Sequence, residues 1–273
     1  MLIVTMYYLK ELDFKMIEKN FPIIEFFDEQ EAIIEPSIIF ERRIVPETCI
    51  IPLYRHVINT LDAKGYLEVI TEIQTSVVPN VIMYKFNYEG FHISLLSPAL
   101  GAPFAAGNLE IAIALGCTKF LVIGSCGVLD SEIERNQIII PSSAIRDEGT
   151  SYHYVPPSRE IEVDKNIVSK IHDSLNSRGV KNIIGKTWTT DGFFRETPSK
   201  MRARKAEGAI SVEMEAAAFL AVAKFRNVKL GYILTAGDDV SGIEWDRRLQ
   251  NKSLDFYEKL FWMSVAIALE LYG

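Results

Sequence analysis

The sequence has little cysteine, little histidine and no excess of positive charge, and each shortage argues against a class of protein. Its 273 residues include 3 cysteines, 4 histidines, 29 basic and 36 acidic side chains, for a net charge of −7. The cysteines form no Cys-x-x-Cys pair, which predicts neither a disulfide framework nor a zinc site and fits a reducing cytoplasm. The histidines form no His-Glu-x-x-His pair, so no metal site is expected. The acidic balance argues against a nucleic-acid partner, which needs clustered positive charge.

Long hydrophobic runs are also missing. The longest apolar stretch, residues 260–269, has about half the length that a membrane-spanning helix needs. The first residues lack the basic region and the small-residue cleavage site of a secretory signal. Hydrophobic residues nevertheless make up 48% of the chain, enough for a sizeable core. We therefore expect a cytoplasmic protein without a membrane partner.

Strand-like and helix-like patterns alternate from residue 81 onward. Strands are predicted at residues 81–86, 91–96, 120–123, 137–140, 183–189, 209–212 and 230–236. Helices are predicted at residues 104–115, 164–179, 198–207, 213–225 and 253–272. Residues 87–90 favour a hairpin turn, and Pro141 is expected to end the strand before it. This alternation predicts an α/β fold with a largely parallel or mixed sheet, covered by helices on both faces.

Three of the predicted strands end in residues that suit a ligand site, because ligands of such sheets bind beyond the strand ends. Gly124-Ser125-Cys126-Gly127 offers backbone amides and a hydroxyl to an oxyanion, although a plain tight turn has the same composition. Glu213-Met214-Glu215 precedes an alanine-rich helix. A carboxylate there either accepts hydrogen bonds from a ribose diol or stabilises the helix N-terminus. Asp238 follows the last strand and suits a general acid or a helix cap.

Two further segments are rich in aromatic or polar groups. Residues 187–196 include aromatic rings and a forked guanidinium donor, which suit stacking on a planar base and reading its edge. The same composition is typical of a hydrophobic core. Residues 146–154, which include His153, are dense in hydrogen-bonding groups and are equally typical of a solvated loop with an internal ion pair.

In this order and spacing, the segments resemble the purine nucleoside phosphorylase/uridine phosphorylase superfamily. The resemblance covers roughly residues 81–270. Residues 101–106 are similar to its small-residue segment, residues 124–127 to its phosphate loop and residues 212–217 to its ribose motif. Residues 235–238 are similar to its Thr-x-Ser-Asp segment. The resemblance implies a three-layer α/β/α sandwich with a central mixed sheet, in one domain over residues 1–273 of which residues 1–80 are divergent. It also implies a homo-oligomer, either a hexamer or a dimer.

The resemblance further implies a role for individual residues. Asp238 would protonate the departing base, and His153 would lie near the pocket or a subunit contact. The implied binding residues are Gly124, Ser125 and Cys126 for phosphate, Glu213, Met214 and Glu215 for ribose, and Trp188, Phe193, Arg195 and Glu196 for the base. Inorganic phosphate is then a co-substrate, and no cofactor or metal is implied.

The sequence departs from the family pattern where phosphate binds. The family usually has an arginine three residues before the loop serine, and this chain has Val122. The family's N-terminal Gly-Asp-Pro-x-x-Arg segment is also missing, unless residues 35–37 are a distant counterpart. Arg42, Arg43 or Arg55, or a neighbouring subunit, are the candidates to replace these cations.

The implied activity is cleavage of a purine nucleoside or uridine by phosphate, which gives the free base and ribose 1-phosphate. The first alternative is a hydrolase similar to methylthioadenosine/adenosylhomocysteine nucleosidases, which uses water and does not need the missing arginines. The second is a non-catalytic nucleoside-binding protein, since a fold does not fix an activity. Asp238 favours purines, whose N7 accepts a proton, whereas residues 146–154 and 187–196 look more like uridine phosphorylases. The base therefore stays open.

Overall fold

The fold is built on one mixed β-sheet. The structure, a computed structural model, describes residues 21–73, 81–97, 99–249 and 254–273. Its strands in these residues are β1 (Thr48–Pro52), β2 (Leu67–Ile73), β3 (Val81–Tyr88), β4 (Phe91–Leu96), β5 (Lys119–Val128), β6 (Ile138–Asp147), β7 (Glu160–Glu162), β8 (Asn182–Thr190), β9 (Ala209–Glu213) and β10 (Lys229–Asp239). The sheet order is β10-β6-β8-β9-β5-β1-β4-β3-β2, with β7 beside β6. Because β10 also pairs with β5, five of the strands close into a ring.

Helices cover both faces of this sheet. The α-helices in the described residues are α1 (Pro36–Ile39), α2 (Arg55–Ala63), α3 (Ala102–Leu115), α4 (Lys165–Ser177), α5 (Pro198–Ala206), α6 (Ala216–Phe225) and α7 (Leu254–Tyr272). Helix α3 packs on α6, and α4 packs on α7. The predicted three-layer α/β/α architecture with a central mixed sheet is therefore confirmed. None of the described helices is long and apolar enough to cross a membrane.

Several local signals in the sequence correspond to the structure. The hairpin between β3 and β4 turns at Glu89 and Gly90, whose φ angles of 49° and 81° are those of a two-residue type I′ turn. The Asp164 side chain accepts a hydrogen bond from the amide of Asn166 and caps α4. Gly179 follows this helix with a φ of 67°, a conformation that costs glycine little.

Three of the predicted boundaries are wrong. Strand β5 continues through Gly124-Ser125-Cys126-Gly127, where the glycines indicate a turn, because this segment pairs with β10 and β9. Strand β6 continues past Pro141, where its register with β8 shifts, and such a bulge tolerates a residue without an N–H. Glu213 ends β9 instead of starting the next helix, which begins at Ala216.

The N-terminal part contributes a central strand that the sequence patterns did not predict. Strand β1 lies between β4 and β5 and pairs with both in parallel. Before it, residues 21–47, here called the N-terminal strap, run across α3 and α6. Arg226, directly after α6, donates to Glu35 of the strap at 3.0 Å and to Glu110 of α3 at 2.8 Å. This ion cluster holds the strap against the helical layer.

Candidate active site

A cavity of about 640 Å3 lies where the last residues of β5, β9 and β10 meet. It brings together eight of the residues predicted from the sequence. These are Ser125, Cys126, Phe193, Glu196, Glu213, Met214, Glu215 and Asp238. Leu100, Gly127, Phe194, Val212, Val240 and Trp245 complete the lining. The cavity is therefore the candidate active site.

Asp238 and Asp239 are neighbours in β10 but have different surroundings. The Asp238 Oδ2 atom accepts a hydrogen bond from the indole Nε1 of Trp245 at 2.6 Å. Its Oδ1 atom lies 3.6 Å from the place that a Cβ on Gly127 would take, at the cavity wall. Asp239 instead pairs with Arg248 at 2.7 Å. Since successive side chains of a strand point to opposite faces, only Asp238 is presented to a ligand.

Two buried carboxylates flank Met214 at the start of α6. Glu215 Oε1 accepts a hydrogen bond from the Gly101 amide at 2.7 Å. Glu213 Oε1 accepts from the Thr189 hydroxyl at 2.6 Å, and its Oε2 accepts from the amides of Glu215 and Ala216 at 2.8 and 2.6 Å. Both oxygens of Glu213 are thus engaged in holding the helix N-terminus, which leaves Glu215 better placed to accept hydrogen bonds from a ligand.

The cavity collects four carboxyl groups. Burial, and secondly the charge on Asp238, raise the pKa of Glu196 to about 7. Burial also raises the pKa of Glu213, and the nearby Glu215 adds to this rise. The pKa of Glu215 is raised by burial in spite of the hydrogen bond from Gly101. Because no Lys or Arg is among the described residues that line the cavity, it favours neutral ligands and developing positive charge.

The predicted phosphate loop reaches the cavity only in part. Ser125 is exposed and lines the cavity together with Cys126, whose thiol donates to the Thr235 carbonyl at 3.5 Å. Burial raises the pKa of this thiol, so it stays neutral. Gly124 does not line the cavity, because it is buried and a Cβ there would lie 2.9 Å from Leu53 Cδ1. As part of a paired strand, the segment offers fewer backbone amides to an anion than a loop would.

The arginines proposed as phosphate ligands lie elsewhere in this chain. The Arg43 amide donates to the Leu115 carbonyl, and a Cβ on Gly116 would lie 4.0 Å from Arg42 Nε, so both arginines lie just before β5. Ser125 lies six residues after the first residue of β5, so roughly 20 Å of strand separates it from the start of β5. Neither they nor the exposed Arg55 line the cavity. Val122 is fully buried, where the resemblance implies a cation.

Two of the four residues predicted to bind a base are not at the cavity. Trp188 is fully buried in a cluster with Ile145 and Met201, and its indole donates to Asp147 at 3.0 Å. Alternation along β8 places this ring in the core. Arg195 is exposed and does not line the cavity. The expectation that Trp188 and Arg195 line the base is therefore corrected, and Phe193 and Glu196 remain.

His153 lines a second cavity of about 760 Å3, between the N-terminal strap and α3 and α6. It therefore does not meet the ligand site within this chain. The polar segment around it is not a solvated loop, because Arg146 is buried in β6. Its guanidinium donates to Ser151, Pro156 and Ser158 at 2.7–2.9 Å, which fixes the fold of this segment.

Three lining residues lie outside the segments that the sequence analysis singled out: Leu100, Val240 and Trp245. All have apolar side chains outside the strands and helices, and Trp245 is 62% exposed. A loop residue reaches a cavity only through tertiary structure, so local patterns do not reveal it. The one signal for Trp245 in the sequence is an aromatic residue in a polar segment seven residues after Asp238.

Sequence relatives of the chain are nucleoside phosphorylases. The guanosine phosphorylase of Halorubrum lacusprofundi is 24% identical over 178 residues, which cover 63% of this chain and 74% of the relative. The uridine phosphorylase of Thermococcus kodakarensis is 35% identical over 107 residues, 39% of each chain. The DeoD-type purine nucleoside phosphorylase of Colwellia psychrerythraea is 27% identical over 167 residues, 60% of this chain and 70% of the relative.

Solved structures share the fold. An AMP nucleosidase from Bacteroides thetaiotaomicron superposes with a TM-score of 0.64 at 21% identity, over 83% of this chain and 88% of its own. A uridine phosphorylase from Vibrio fischeri has the same TM-score at 19% identity, over 84% and 91%. At these identities the likeness concerns the fold alone.

The family model described as the phosphorylase superfamily matches residues 61–260, most of the chain. Its match includes every residue that lines the candidate active site. The expectation of an enzyme of the pentosyltransferase class is confirmed at the level of the family. The chain belongs to the phosphorylase superfamily.

Proposed function

We propose that this protein cleaves the N-glycosidic bond of a nucleoside, with inorganic phosphate as the acceptor of the ribosyl group. The observation that carries the proposal is the joint placement of Asp238, Glu215 and Ser125 on one cavity. The sequence relatives named as guanosine, uridine and purine nucleoside phosphorylases support the same reaction.

The proposed mechanism follows from the charges that the reaction creates. The electron pair of the C1′–N bond leaves with the base, so the ribose becomes positive and the base becomes negative. Asp238 gives a proton to a base nitrogen, and the negative charge of the bound phosphate stabilises the positive ribose. Glu215 accepts hydrogen bonds from the ribose diol and keeps the sugar in place. A phosphate oxygen then forms the new bond to C1′.

The cavity favours a nucleoside over a nucleotide. Its lining combines Glu196, Glu213, Glu215 and Asp238 without a Lys or Arg among the described lining residues. A 5′-phosphate would add two negative charges next to these groups and find no cation to pair with. We therefore expect adenosine to be a better substrate than AMP.

The same shortage of cations favours one alternative, hydrolysis. Water needs no cationic ligand, whereas bound phosphate does. Under the phosphorolysis proposal, the cation has to come from a neighbouring copy in a homo-oligomer, a hexamer or a dimer. Light scattering of the purified protein tests this requirement, since a monomer would leave phosphate without a partner.

The deciding experiment identifies the sugar product. The protein is incubated with inosine, guanosine, adenosine, AMP, uridine and methylthioadenosine, with and without phosphate. Ribose 1-phosphate or its methylthio analogue, formed only with phosphate, supports the proposal and assigns the base. Free sugar formed at an unchanged rate without phosphate supports the hydrolase. Saturable binding without turnover of any nucleoside contradicts both reactions.

A further inference from the structure

We propose that Trp245 is a positioning residue for Asp238, and that its indole N–H directs the transferable proton of Asp238 to the Oδ1 atom. This inference rests on the proposed function, in which Asp238 protonates the departing base. It concerns a residue outside the motifs that carry the family resemblance.

The geometry follows from what an indole can do. Trp245 Nε1 lies 2.6 Å from Asp238 Oδ2, and an indole nitrogen donates a hydrogen bond but cannot accept one. Oδ2 must therefore act as an acceptor. In a carboxylic acid the carbonyl oxygen is the stronger acceptor, so the indole favours Oδ2 as the carbonyl oxygen and the proton of the acid form on Oδ1. This atom lies 3.6 Å from the place that a Cβ on Gly127 would take, and Gly127 and Asp238 both line the cavity.

Two interactions besides the hydrogen bond to Asp238 fix the position of Trp245. Asp239 and Asp246 exchange two backbone hydrogen bonds of 2.8 and 3.0 Å, which anchor the loop one residue from Trp245. The guanidinium of Arg247 lies over the indole ring, 5.1 Å from its centroid. Trp245 is 62% exposed, so it adds little to the core. Its hydrogen bond to Asp238 and its contact with Arg247 orient the ring.

The indole N–H is what distinguishes the two oxygens of Asp238. Removal of this donor leaves either oxygen able to carry the proton, so the proton is no longer directed to Oδ1.

The test compares Trp245→Phe with wild type. Phenylalanine keeps an aromatic wall but has no N–H. We expect kcat for unmodified nucleosides to fall about tenfold or more, with KM changed by less than about threefold. Trp245→His, which can again donate, should recover part of the loss. Ile243→Ala, in the same loop and almost fully exposed, is the matched control and should match wild type.

A second substrate separates positioning from loss of structure. The base of 7-methylguanosine already carries a positive charge and leaves without a proton from the enzyme. Trp245→Phe should cleave it at close to the wild-type rate. If the wild type prefers uridine, 5-fluorouridine is used instead of 7-methylguanosine, because its base depends less on protonation to leave.

Two results overturn the inference. Equal losses of kcat for both substrates would show that Trp245 only forms part of the cavity wall. An unchanged kcat in Trp245→Phe would show that the residue has no part in the mechanism. Either result leaves the proposed function standing, because the wild type remains active. A wild type that cleaves no nucleoside overturns the proposed function and this inference together.

Discussion

Acidic residues that are close together in the sequence have different roles at the cavity. Asp238 faces the cavity and Asp239 anchors a loop through Arg248. Glu215 and Glu213 differ in the same way, since both oxygens of Glu213 accept hydrogen bonds from neighbouring protein groups. One carboxylate of each pair is therefore assigned to a substrate and the other to the scaffold.

Removal of the Glu215 carboxylate tests its assignment to the ribose. Glu215→Ala should lower kcat/KM for a ribonucleoside by about 10- to 100-fold, the usual value of hydrogen bonds to a charged group. The 2′-deoxynucleoside, which lacks one of the two hydroxyls, should lose less. Steady-state kinetics with both sugars check this, and Glu215→Gln, which keeps an acceptor for the Gly101 amide, is the control. A ribose preference that survives in Glu215→Ala would contradict the assignment.

The raised pKa of Glu196 predicts a pH-dependent stability. Its pKa is about 7 in the folded state and 4.5 ordinarily, so the folded state binds more protons between these values. The protonated Glu196 stabilises the folded state relative to the ionised form. This stabilisation is fully present below about pH 4.5 and is lost as the pH rises through about 7. We expect Glu196→Gln to raise Tm relative to wild type at pH 8 and to leave it little changed at pH 4.5. Thermal melts at both pH values check this, with exposed Glu162→Gln as the control. An equal Tm difference at both pH values would contradict the linkage.

Among the elements, the N-terminal strap depends on one arginine. Arg226 joins Glu35 of the strap to Glu110 of α3, and the Glu110 side chain is only 8% exposed. Arg226→Ala would leave this buried carboxylate unpaired and should lower the free energy of unfolding by about 3 kcal/mol. The exposed pair of Arg159 and Glu207 is the comparison, and Arg159→Ala should cost less than about 1 kcal/mol. Urea unfolding measures both variants, and equal losses would contradict this role of the strap.

The elements also show which features of the structure the sequence could predict. The turn at Glu89 and Gly90 and the cap at Asp164 were predictable because their causes lie within a few residues of chain. Strand β1 was not, since its five residues form a strand only by pairing with β4 and β5 on both sides. The glycines of residues 124–127 indicated a turn, yet they reflect close packing, as at Gly124 against Leu53.

The same distinction applies to the residues of the candidate site: some were predictable from the sequence and others depend on tertiary structure. The acids at the ends of β9 and β10 were predictable, because strand ends of such a sheet converge at one edge. Trp188 was misplaced because a single sequence does not tell which face of β8 is the core. Trp245 was missed because its contact with Asp238 depends on the path of a loop.

For the molecule as a whole, the sheet joins the divergent N-terminal segment to the core. Strand β1 lies at its centre, and the strap packs on the helical layer. We expect residues 1–273 to unfold as one cooperative unit, with the same midpoint by circular dichroism and by tryptophan fluorescence. Two separate transitions would show that residues 1–80 form a domain of their own.

The most direct test of the account measures free base released by the wild type and by Asp238→Asn. With phosphate present, the wild type should release the base of at least one of inosine, adenosine, guanosine or uridine. Asp238→Asn should lower kcat for that nucleoside by about 100-fold or more, because general acid catalysis is lost, while KM changes little. Full activity in Asp238→Asn, or no base released by the wild type, would contradict the proposed active site.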